Sequence, residues 1–224
     1  MQNIIEINDF LVKSLPKTIP GLVALIADHK DALTTEELSS IDFGSELRLR
    51  EYSTGRFLAK SLLQRLGSTE MNLPTLSDGQ VKWPEGFVGS ISHKNKICAV
   101  IAAERKSCKS LGLDIEISTK KDTLIIDSIL TTNEKNLTSI HSLREDQVIN
   151  LYLSAKEAFY KYQYPLTGLR FDFLDIEVVF DWDKNRFKVS PICLPRLTAQ
   201  LVNSGEFTSG FHVFGDLICT HCYS

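Results

Sequence analysis

The chain has 224 residues, of which 43% are hydrophobic and 24% charged, and its formal net charge is −3. These values are typical of a folded globular protein, exclude a disordered chain and disfavour a general nucleic-acid binder. The five cysteines are scattered and odd in number, which favours a reducing compartment over a disulfide framework. There is neither a signal-peptide pattern nor an apolar run of about 20 residues, so the sequence predicts a cytoplasmic protein without a transmembrane segment.

The first strong element along the chain is a helix. Thr34 and Glu37 stand at capping-box spacing and predict a short helix that begins there. Over residues 45–66, apolar side chains recur about every 3.6 positions, the period of an α-helix. Gly67 follows where a glycine commonly ends a helix. The sequence therefore predicts a long helix over residues 45–66.

This long helix carries several cations. Arg48, Arg56 and Lys60 fall within about one quadrant of its surface. Such a face suits phosphate oxygens, because arginine and lysine are their usual protein partners. For each cation taken singly, a solvated helix face is the better interpretation, with Glu46 and Glu51 as local ion-pair partners.

Two short apolar stretches, residues 87–93 and 97–103, are separated by a polar turn and predict a β-hairpin. Ser92 and His93 close the first stretch and carry donors that suit phosphate oxygens. A lone histidine at a turn is nevertheless more often an exposed residue without a role. The hairpin is therefore predicted more firmly than any function for its turn.

Trp83 stands between Lys82 and Pro84, just before the hairpin. Its indole ring is either a core side chain or a flat wall for a purine ring, with the lysine beside it. A lone tryptophan is more commonly part of a core. Pro84 ends any strand that precedes it, because proline cannot continue a ladder of hydrogen bonds.

Residues 111–116 predict a short buried strand, apolar and flanked by turn-like segments. Side chains alternate between the faces of a strand, so Asp114 and Glu116 point the same way. Two adjacent carboxylates repel each other and lose hydration, and Mg²⁺ relieves both costs. Taken alone, the stretch is equally consistent with a metal site and with an edge strand whose polar face is hydrated.

A second strong helix is predicted from residue 143 to about residue 164, where Pro165 would end it. Glu157 and Lys161 stand four residues apart, roughly opposite the apolar stripe of this helix. On the helix alone they are an exposed ion pair worth about 0.3 kcal/mol. The pattern gives no further reason to assign them a function.

The rest of the second half predicts one or two short helices over residues 122–142, and then short strands separated by turns, one of them over residues 197–202. This order of elements predicts an α+β fold. The charged, serine-containing segment 104–110 predicts a boundary between two lobes, residues 1–106 and 107–224.

The segment Cys219-Thr220-His221-Cys222 has the spacing of a zinc-ligand pair. A structural zinc site needs four ligands, usually from two such pairs, and the sequence has no second one. We therefore assign the segment to a strand with incidental thiols.

Two motifs of the second half, taken together, resemble the 4′-phosphopantetheinyl transferase superfamily. That family shows Gly-x-Asp and, about forty residues later, Ser-x-Lys-Glu with a lysine four residues after the glutamate. The matching segments are Gly112-Leu113-Asp114-Ile115-Glu116 and Ser154-Ala155-Lys156-Glu157-Ala158-Phe159-Tyr160-Lys161. Three upstream blocks resemble the surfactin-synthetase-activating type, and most closely its enterobactin synthase component D subgroup: Glu51-Tyr52-Ser53-Thr54-Gly55-Arg56, Trp83-Pro84 and Val88-Gly89-Ser90-Ile91-Ser92-His93.

The resemblance implies a monomer of two similar α+β lobes related by a pseudo-twofold axis, with the active site in the cleft between them. Its members transfer the phosphopantetheine arm of coenzyme A to a serine of an apo carrier protein and release adenosine 3′,5′-bisphosphate. The subgroup implies aryl or peptidyl carrier domains of a peptide synthetase that builds an enterobactin-like siderophore. A non-catalytic module that binds coenzyme A or a carrier protein, and a Mg²⁺-dependent phosphohydrolase, remain as alternatives.

The resemblance also implies roles for individual residues. Asp114, Glu116 and Glu157 would ligate Mg²⁺, and Lys161 would contact the pyrophosphate. The reaction also needs a general base for the serine, and our candidate is Glu157, acting directly or through a metal-bound water, with Lys161 second. The contacts expected with coenzyme A, the last three of them near its adenine, are Asp114, Lys161, Arg48, Arg56, Ser92, His93, Lys82, Trp83 and Pro84.

Overall fold

The computed structural model describes residues 2–136, 143–193 and 207–224. The chain forms two compact units, Met1–Lys109 and Ser110–Ser224. Each unit combines helices with an antiparallel sheet, so the predicted α+β class is confirmed. Within these described ranges, no helix is both long enough and apolar enough to cross a bilayer.

The first unit is built on an antiparallel sheet with the strand order β1 (Gly21–Leu25), β3 (Ile97–Glu104), β2 (Phe87–Lys94). The predicted hairpin is confirmed, because β2 and β3 pair along their whole length. Its turn residues, Asn95 and Lys96, have φ values of 44° and 68°, which the tight turn between two strands requires.

Three helices complete the first unit: α1 (Gln2–Ser14), α2 (Thr35–Ser39) and α3 (Glu46–Arg65). Helix α3 confirms the prediction for residues 45–66. It begins after Ser45, whose hydroxyl accepts the Arg48 N–H, and Gly67 beyond its end has a φ of 87°. Helix α2 begins with the predicted capping box of Thr34 and Glu37.

Helix α3 packs on β3 through one apolar face, and this packing forms the core of the first unit. Each leucine buried in this way contributes about 2 kcal/mol of transfer free energy. The polar face of α3 is thereby kept out of the core. The shared residues are Leu58, Ala59, Leu62 and Leu63 of the helix with Cys98, Val100 and Ala102 of the strand.

The second unit contains a three-stranded antiparallel sheet of order β4 (Leu111–Ile117), β8 (Leu217–Tyr223), β7 (Thr208–Phe214). A separate hairpin pairs β5 (Ile176–Asp181) with β6 (Arg186–Pro191). The helices are α4 (Thr123–Ile129), α5 (Thr132–Asn136) and α6 (Glu145–Thr167). The strand predicted over residues 197–202 lies outside the described residues.

The predicted end of the second long helix is wrong, because α6 continues through Pro165 to Thr167. Proline removes the bond that its nitrogen would donate to the carbonyl one turn earlier, and its ring crowds that carbonyl. Only Leu166 and Thr167 follow it in α6, so this cost falls in the last turn of the helix. Gly168 then terminates α6 in the left-handed conformation and donates its N–H to the Tyr164 carbonyl at 2.8 Å.

A fully buried ion pair joins α6 to the hairpin and to α5. Lys156 Nζ lies 2.7 Å from Glu134 Oε2, and neither side chain is more than 2% exposed. The other oxygen of Glu134 accepts the Val178 N–H at 2.8 Å. With every charge compensated in this way, the pair fixes the orientation of α6. The lysine also donates to the carbonyls of Ile129, Phe173 and Ile176.

The predicted strand at Cys219-Thr220-His221-Cys222 is confirmed, because these residues lie in β8. Burial raises the pKa of both thiols above the ordinary value, so they are protonated at neutral pH. The ring of His221 is also buried, and it lies against Gly210, where an added Cβ would approach its Nε2 to 2.4 Å.

We expect the stability of the fold to fall in mild acid because of His221. Burial, and secondarily the charge of Arg186, lower the pKa of His221 to about 3. The unfolded chain takes up a proton near pH 6.5 while the folded chain does not, so stability present above about pH 6.5 is lost as the pH falls. Between pH 7.5 and pH 5, urea unfolding should record a loss of about 2 kcal/mol through this group. His221→Phe should abolish this loss of unfolding free energy between pH 7.5 and pH 5. An unchanged pH dependence in the variant would show that His221 does not cause it.

Candidate active site

Strand β4 carries two carboxylates on one face. Asp114 and Glu116 are 6% and 8% exposed, so both acids are buried, and their spacing of two residues along a strand places them on the same face. Strand β4 pairs with β8 in a register that places Asp114 opposite Thr220. A backbone contact also fixes Glu116, whose Oε1 accepts the Ile117 N–H at 2.9 Å. Strand β4 does lie at an edge of the described sheet, but its two acids are buried, so the interpretation of a hydrated polar face is wrong.

Gly112 allows α6 to lie directly on β4. A Cβ added at Gly112 would come within 1.9 Å of the Ala158 carbonyl oxygen and 2.8 Å of the Tyr162 nitrogen. Both of these atoms belong to the backbone and cannot move aside as a side chain can. The glycine therefore sets the distance between the strand that carries the two acids and the helix that carries Glu157 and Lys161.

Lys161 bridges from the helix to the strand. Its Nζ lies 2.7 Å from Asp114 Oδ1 and 3.2 Å from the Leu113 carbonyl oxygen. The interpretation of Glu157 and Lys161 as an exposed ion pair is therefore wrong, since Lys161 is only 29% exposed and forms its ion pair with Asp114. Helical spacing alone could not show this contact, because the two partners are 47 residues apart.

Glu157 lies within electrostatic range of both strand carboxylates. Burial raises the pKa of Glu157, the charge of Lys161 opposes that rise, and the charges of Asp114 and Glu116 add to it. These four residues, Asp114, Glu116, Glu157 and Lys161, are called the acidic site below. Because two neighbouring carboxylates raise the pKa of Glu157, a cation that neutralises their charge is favoured in this site.

The donor set of the acidic site fits a hard divalent cation, which prefers carboxylate oxygens. The mutual repulsion recorded at Glu157 is the cost that such an ion would remove. In the part of the chain that the structure describes, no three or more histidine, cysteine or acidic side chains already stand in an arrangement that could hold a metal. The chemistry of the residues, and not a formed coordination shell, therefore supports a metal here.

The first unit contains a second candidate site, a cavity of about 200 Å³ beside α3. It is called the cation pocket below, and its lining includes the charged residues Arg48, Glu51 and Arg56 of α3 and the histidine His93 of β2. The sequence indicated three of these four, and the structure brings all three to one cavity. Its remaining walls are Ile41, Tyr52, Gly55, Thr75, Gly79, Val81 and Ile91.

Arg56 is held rigidly in the wall of this pocket. It is 5% exposed and donates from Nε to the Leu73 carbonyl at 2.7 Å and from a terminal nitrogen to Thr75 Oγ1 at 2.9 Å. Its guanidinium lies 4.1 Å from the centre of the Tyr52 ring. The arginine is therefore preorganised, because its side chain is already ordered before any ligand binds.

Lys60 does not share the pocket with the two arginines. Its ammonium lies 2.7 Å from Glu37 Oε2 and 2.7 Å from the Ala32 carbonyl oxygen. Glu37 is fully buried, so this ion pair anchors α2 to α3. Of the three cations predicted to form a phosphate-binding face on α3, only Arg48 and Arg56 line the cation pocket.

The cation pocket is not lined by four other residues of the first unit that were expected to contact coenzyme A: Lys82, Trp83, Pro84 and Ser92. Trp83 is half-buried and packs on the core, with its ring so close to Gly89 that an added Cβ would lie 2.3 Å away. Lys82 is exposed, whereas Pro84 and Ser92 are buried. Their contacts with coenzyme A stay a prediction.

Sequence reasoning treated Glu51 only as a local partner and gave Thr75 no role, yet both line the pocket. The spacing of Glu51 from Arg48 is the signal that was available, since three residues along a helix place side chains together. No pattern marks Thr75, which lies on an irregular segment and reaches Arg56 only through the fold.

Two protein-family models match the chain. The description "4′-phosphopantetheinyl transferase N-terminal domain" matches residues 41–103, which include every residue that lines the cation pocket. The description "4′-phosphopantetheinyl transferase superfamily" matches residues 110–214, which include the whole acidic site.

Individual relatives agree with these matches. The chain is 30% identical to 4′-phosphopantetheinyl transferase Svp of Streptomyces mobaraensis, over 84% of this chain and 73% of Svp. It is 29% identical to 4′-phosphopantetheinyl transferase PptT of Mycobacterium tuberculosis, over 61% of this chain and 60% of PptT. It is also 34% identical to enterobactin synthase component D of Salmonella typhi, over 51% of this chain and 47% of that protein. The chain thus spans less than two thirds of the length of the last two relatives.

Proposed function

Because the chain belongs to the 4′-phosphopantetheinyl transferase superfamily, we propose that it transfers the phosphopantetheine arm of coenzyme A to a serine of an apo carrier-protein domain. The second product is adenosine 3′,5′-bisphosphate. The observation that carries the proposal is the contact of Lys161 with Asp114 beside Glu116 and Glu157. A transferring phosphoryl group needs positioning and neutralisation of its charge more than covalent chemistry, and these residues offer both.

We assign Asp114, Glu116 and Glu157 as the residues that would hold Mg²⁺. When bound there, the ion would supply Lewis-acid polarisation of the pyrophosphate oxygens and would offset the repulsion among the three acids. Lys161 would donate one hydrogen bond to a pyrophosphate oxygen and keep another to Asp114, since an ammonium has three hydrogens to donate.

Glu157 is the proposed general base that accepts the proton of the carrier serine. Burial, the largest cause of its raised pKa, makes it a stronger base than an exposed glutamate, and this effect does not depend on the repulsion that a bound cation would offset. Lys161 is the second candidate. The pairing of Lys161 with Asp114 supports Glu157, because an ammonium held by a carboxylate is not disposed to accept a proton.

We assign the cation pocket to the phosphates of the nucleotide half of coenzyme A. Arg48, Arg56 and His93, which line the pocket, would contact these phosphates. Ser92, the fourth residue expected at these phosphates, does not line the pocket, and its contact stays a prediction. The rigid placement of Arg56 supports this assignment, because a preordered guanidinium binds phosphate at a lower entropic cost. Near the adenine we place the segment that contains Lys82, Trp83 and Pro84.

The decisive experiment incubates the chain with coenzyme A, Mg²⁺ and an apo carrier domain, and measures the intact mass of the carrier. A gain of one phosphopantetheine group supports transfer. Free phosphopantetheine that appears without a carrier would instead support a phosphohydrolase. Bound coenzyme A without any chemistry would support a binding module and would overturn the proposal.

We also propose aryl or peptidyl carrier domains of siderophore assembly as the partner. The similarity to enterobactin synthase component D supports this choice. A panel of apo aryl, peptidyl, fatty-acid and polyketide carriers, compared by kcat/KM, tests it directly. A preference for fatty-acid carriers would overturn it.

We further propose that the enzyme is a cytoplasmic monomer, and light scattering of the purified chain tests the oligomeric state.

We expect Arg56→Ala to raise the KM for coenzyme A about tenfold while kcat changes less than about threefold. A phosphate contact far from the reacting bond contributes mostly uniform binding. The variant also loses the contacts with Leu73 and Thr75, so its unfolding midpoint must be measured alongside the kinetics. Arg65→Ala, at the exposed end of the same helix, is the matched control. An unchanged KM in a folded Arg56→Ala would exclude Arg56 from the binding site.

A further inference from the structure

The cation pocket contains a carboxylate, which is unexpected in a cavity that receives phosphate. Glu51 lines the pocket, and its two oxygens lie 3.5 Å from Arg48 and 3.5 Å from His93 Nδ1. At 20% exposure the side chain is only partly hydrated. Its charge repels an incoming phosphate, so Glu51 requires a role that outweighs this cost.

The direction of one hydrogen bond fixes the state of His93. Arg48 lies 3.0 Å from His93 Nε2. A guanidinium can only donate, so Nε2 accepts, and the neutral ring carries its proton on Nδ1, the nitrogen that faces Glu51. Each of the three side chains therefore contacts the other two.

The other groups near His93 leave this state unchanged. Cys98 stands opposite His93 in the register of β2 and β3, and burial raises its pKa to about 12, so the thiol stays neutral. Arg56 is the remaining charged side chain of the pocket, and Lys94, next along β2, is exposed. With neutral His93, the charges of Arg48, Arg56 and Glu51 leave the pocket one net positive charge.

We propose that Glu51 is a positioning residue which holds His93 as an imidazolium when a phosphate monoester dianion binds, so that binding takes up one proton. The inference rests on the proposed function. The phosphate monoester in question is the 3′-phosphate on the ribose of coenzyme A. A proton from the solvent adds to Nε2, Arg48 turns from that nitrogen to a phosphate oxygen, and the new N–H donates to the same phosphate. The pocket then carries two net positive charges and matches the dianion.

Calorimetry of coenzyme A binding, with the full chain, Mg²⁺ and no carrier, tests the proposal. At pH 8 a free histidine is neutral, because its ordinary pKa is about 6.5, and a phosphate monoester with a second pKa of about 6 is already a dianion. The binding heat should therefore vary between buffers of different ionisation enthalpy, with a slope of about one proton taken up. Dephospho-coenzyme A, which lacks the monoester, should show a slope near zero.

Variants of Glu51 separate this role from simple repulsion. Glu51→Gln should bind coenzyme A about tenfold more weakly and take up less than half a proton, while binding of dephospho-coenzyme A changes less than about threefold. Tighter binding of coenzyme A by Glu51→Gln would mean that the carboxylate only repels phosphate, and would overturn the proposal. Glu51→Asp should restore part of the proton uptake. Glu46→Gln, an exposed member of an ion pair with Arg50 on the same helix, is the matched control.

The same measurements distinguish failure of this inference from failure of the proposed function. Wild-type chain that binds coenzyme A with equal heats in all buffers would overturn the role of Glu51 and leave the transferase proposal intact. Wild-type chain that binds no coenzyme A and modifies no carrier would overturn both.

Discussion

Replacing Asp114 with asparagine is expected to reduce the transfer rate about a thousandfold, the scale seen when a preorganised electrostatic contact is removed. The carboxylate is the partner of Lys161 and one of the three proposed metal ligands. Asparagine keeps the shape and loses the charge, so Lys161 has no counter-ion and the cation site loses an oxygen donor. The stability should change by less than about 1 kcal/mol, because loss of the ion pair is offset by less repulsion with Glu116 and Glu157.

The measurement is holo-carrier formation followed by intact mass, at saturating coenzyme A and over a range of Mg²⁺ concentrations. Asp181→Asn is the matched control, since Asp181 forms an exposed ion pair with Lys184 in the same unit. A wild-type rate and wild-type Mg²⁺ dependence in Asp114→Asn would exclude Asp114 from the metal set.

Gly112→Ala is expected to destabilise the second unit by about 4 kcal/mol or more, the exceptional range for one substitution. The new Cβ would lie 1.9 Å from the carbonyl oxygen of Ala158, so β4 and α6 would have to separate. Separation would also pull Lys161 away from Asp114. Transfer should therefore be lost even under conditions in which the variant still folds.

Urea unfolding measures the first effect, and the transfer assay at low temperature measures the second. Gly21→Ala is the matched control, because that glycine also lies in a strand but the atoms nearest to its Cβ would be side-chain carbons of Leu11 and Ile101, at 3.1 and 3.3 Å. The nearest backbone atom, the Val100 carbonyl oxygen, would be at the ordinary contact distance of 3.5 Å. These atoms can shift, so the control should lose less than about 2 kcal/mol. Equal stabilities of Gly112→Ala and wild type would contradict the close approach of β4 and α6.

Features that depend on neighbouring residues could be predicted from the sequence. Helix α3, the capping box at Thr34 and the β2–β3 hairpin follow from periodicity, caps and turn residues, whose physics acts within a few positions. The acid-bearing strand was predicted from its apolar alternation. Helix α1 was not predicted, because the burial of Ile7 and Leu11 depends on the rest of the unit.

Features that depend on distant residues could not be predicted. Lys161 was expected beside Glu157 by helical spacing, but its ion pair with Asp114 arises only when α6 lies on β4. Lys156 stands in the family motif without a role, and its burial against Glu134 became visible only in the folded unit. The grouping of Glu51 with His93 likewise requires α3 and β2 to be placed together.

The pairing of β4 with β8 has a consequence for the order of folding. The two strands join positions about 100 residues apart along the chain, whereas β2 and β3 join across a tight turn. Closing the longer loop costs more entropy, and such distant pairings form late. The strand that carries Asp114 and Glu116 therefore completes its pairing only after Leu217–Tyr223 has been added to the chain. A nascent chain interrupted before those residues would contain the two acids but not the strand that pairs with theirs.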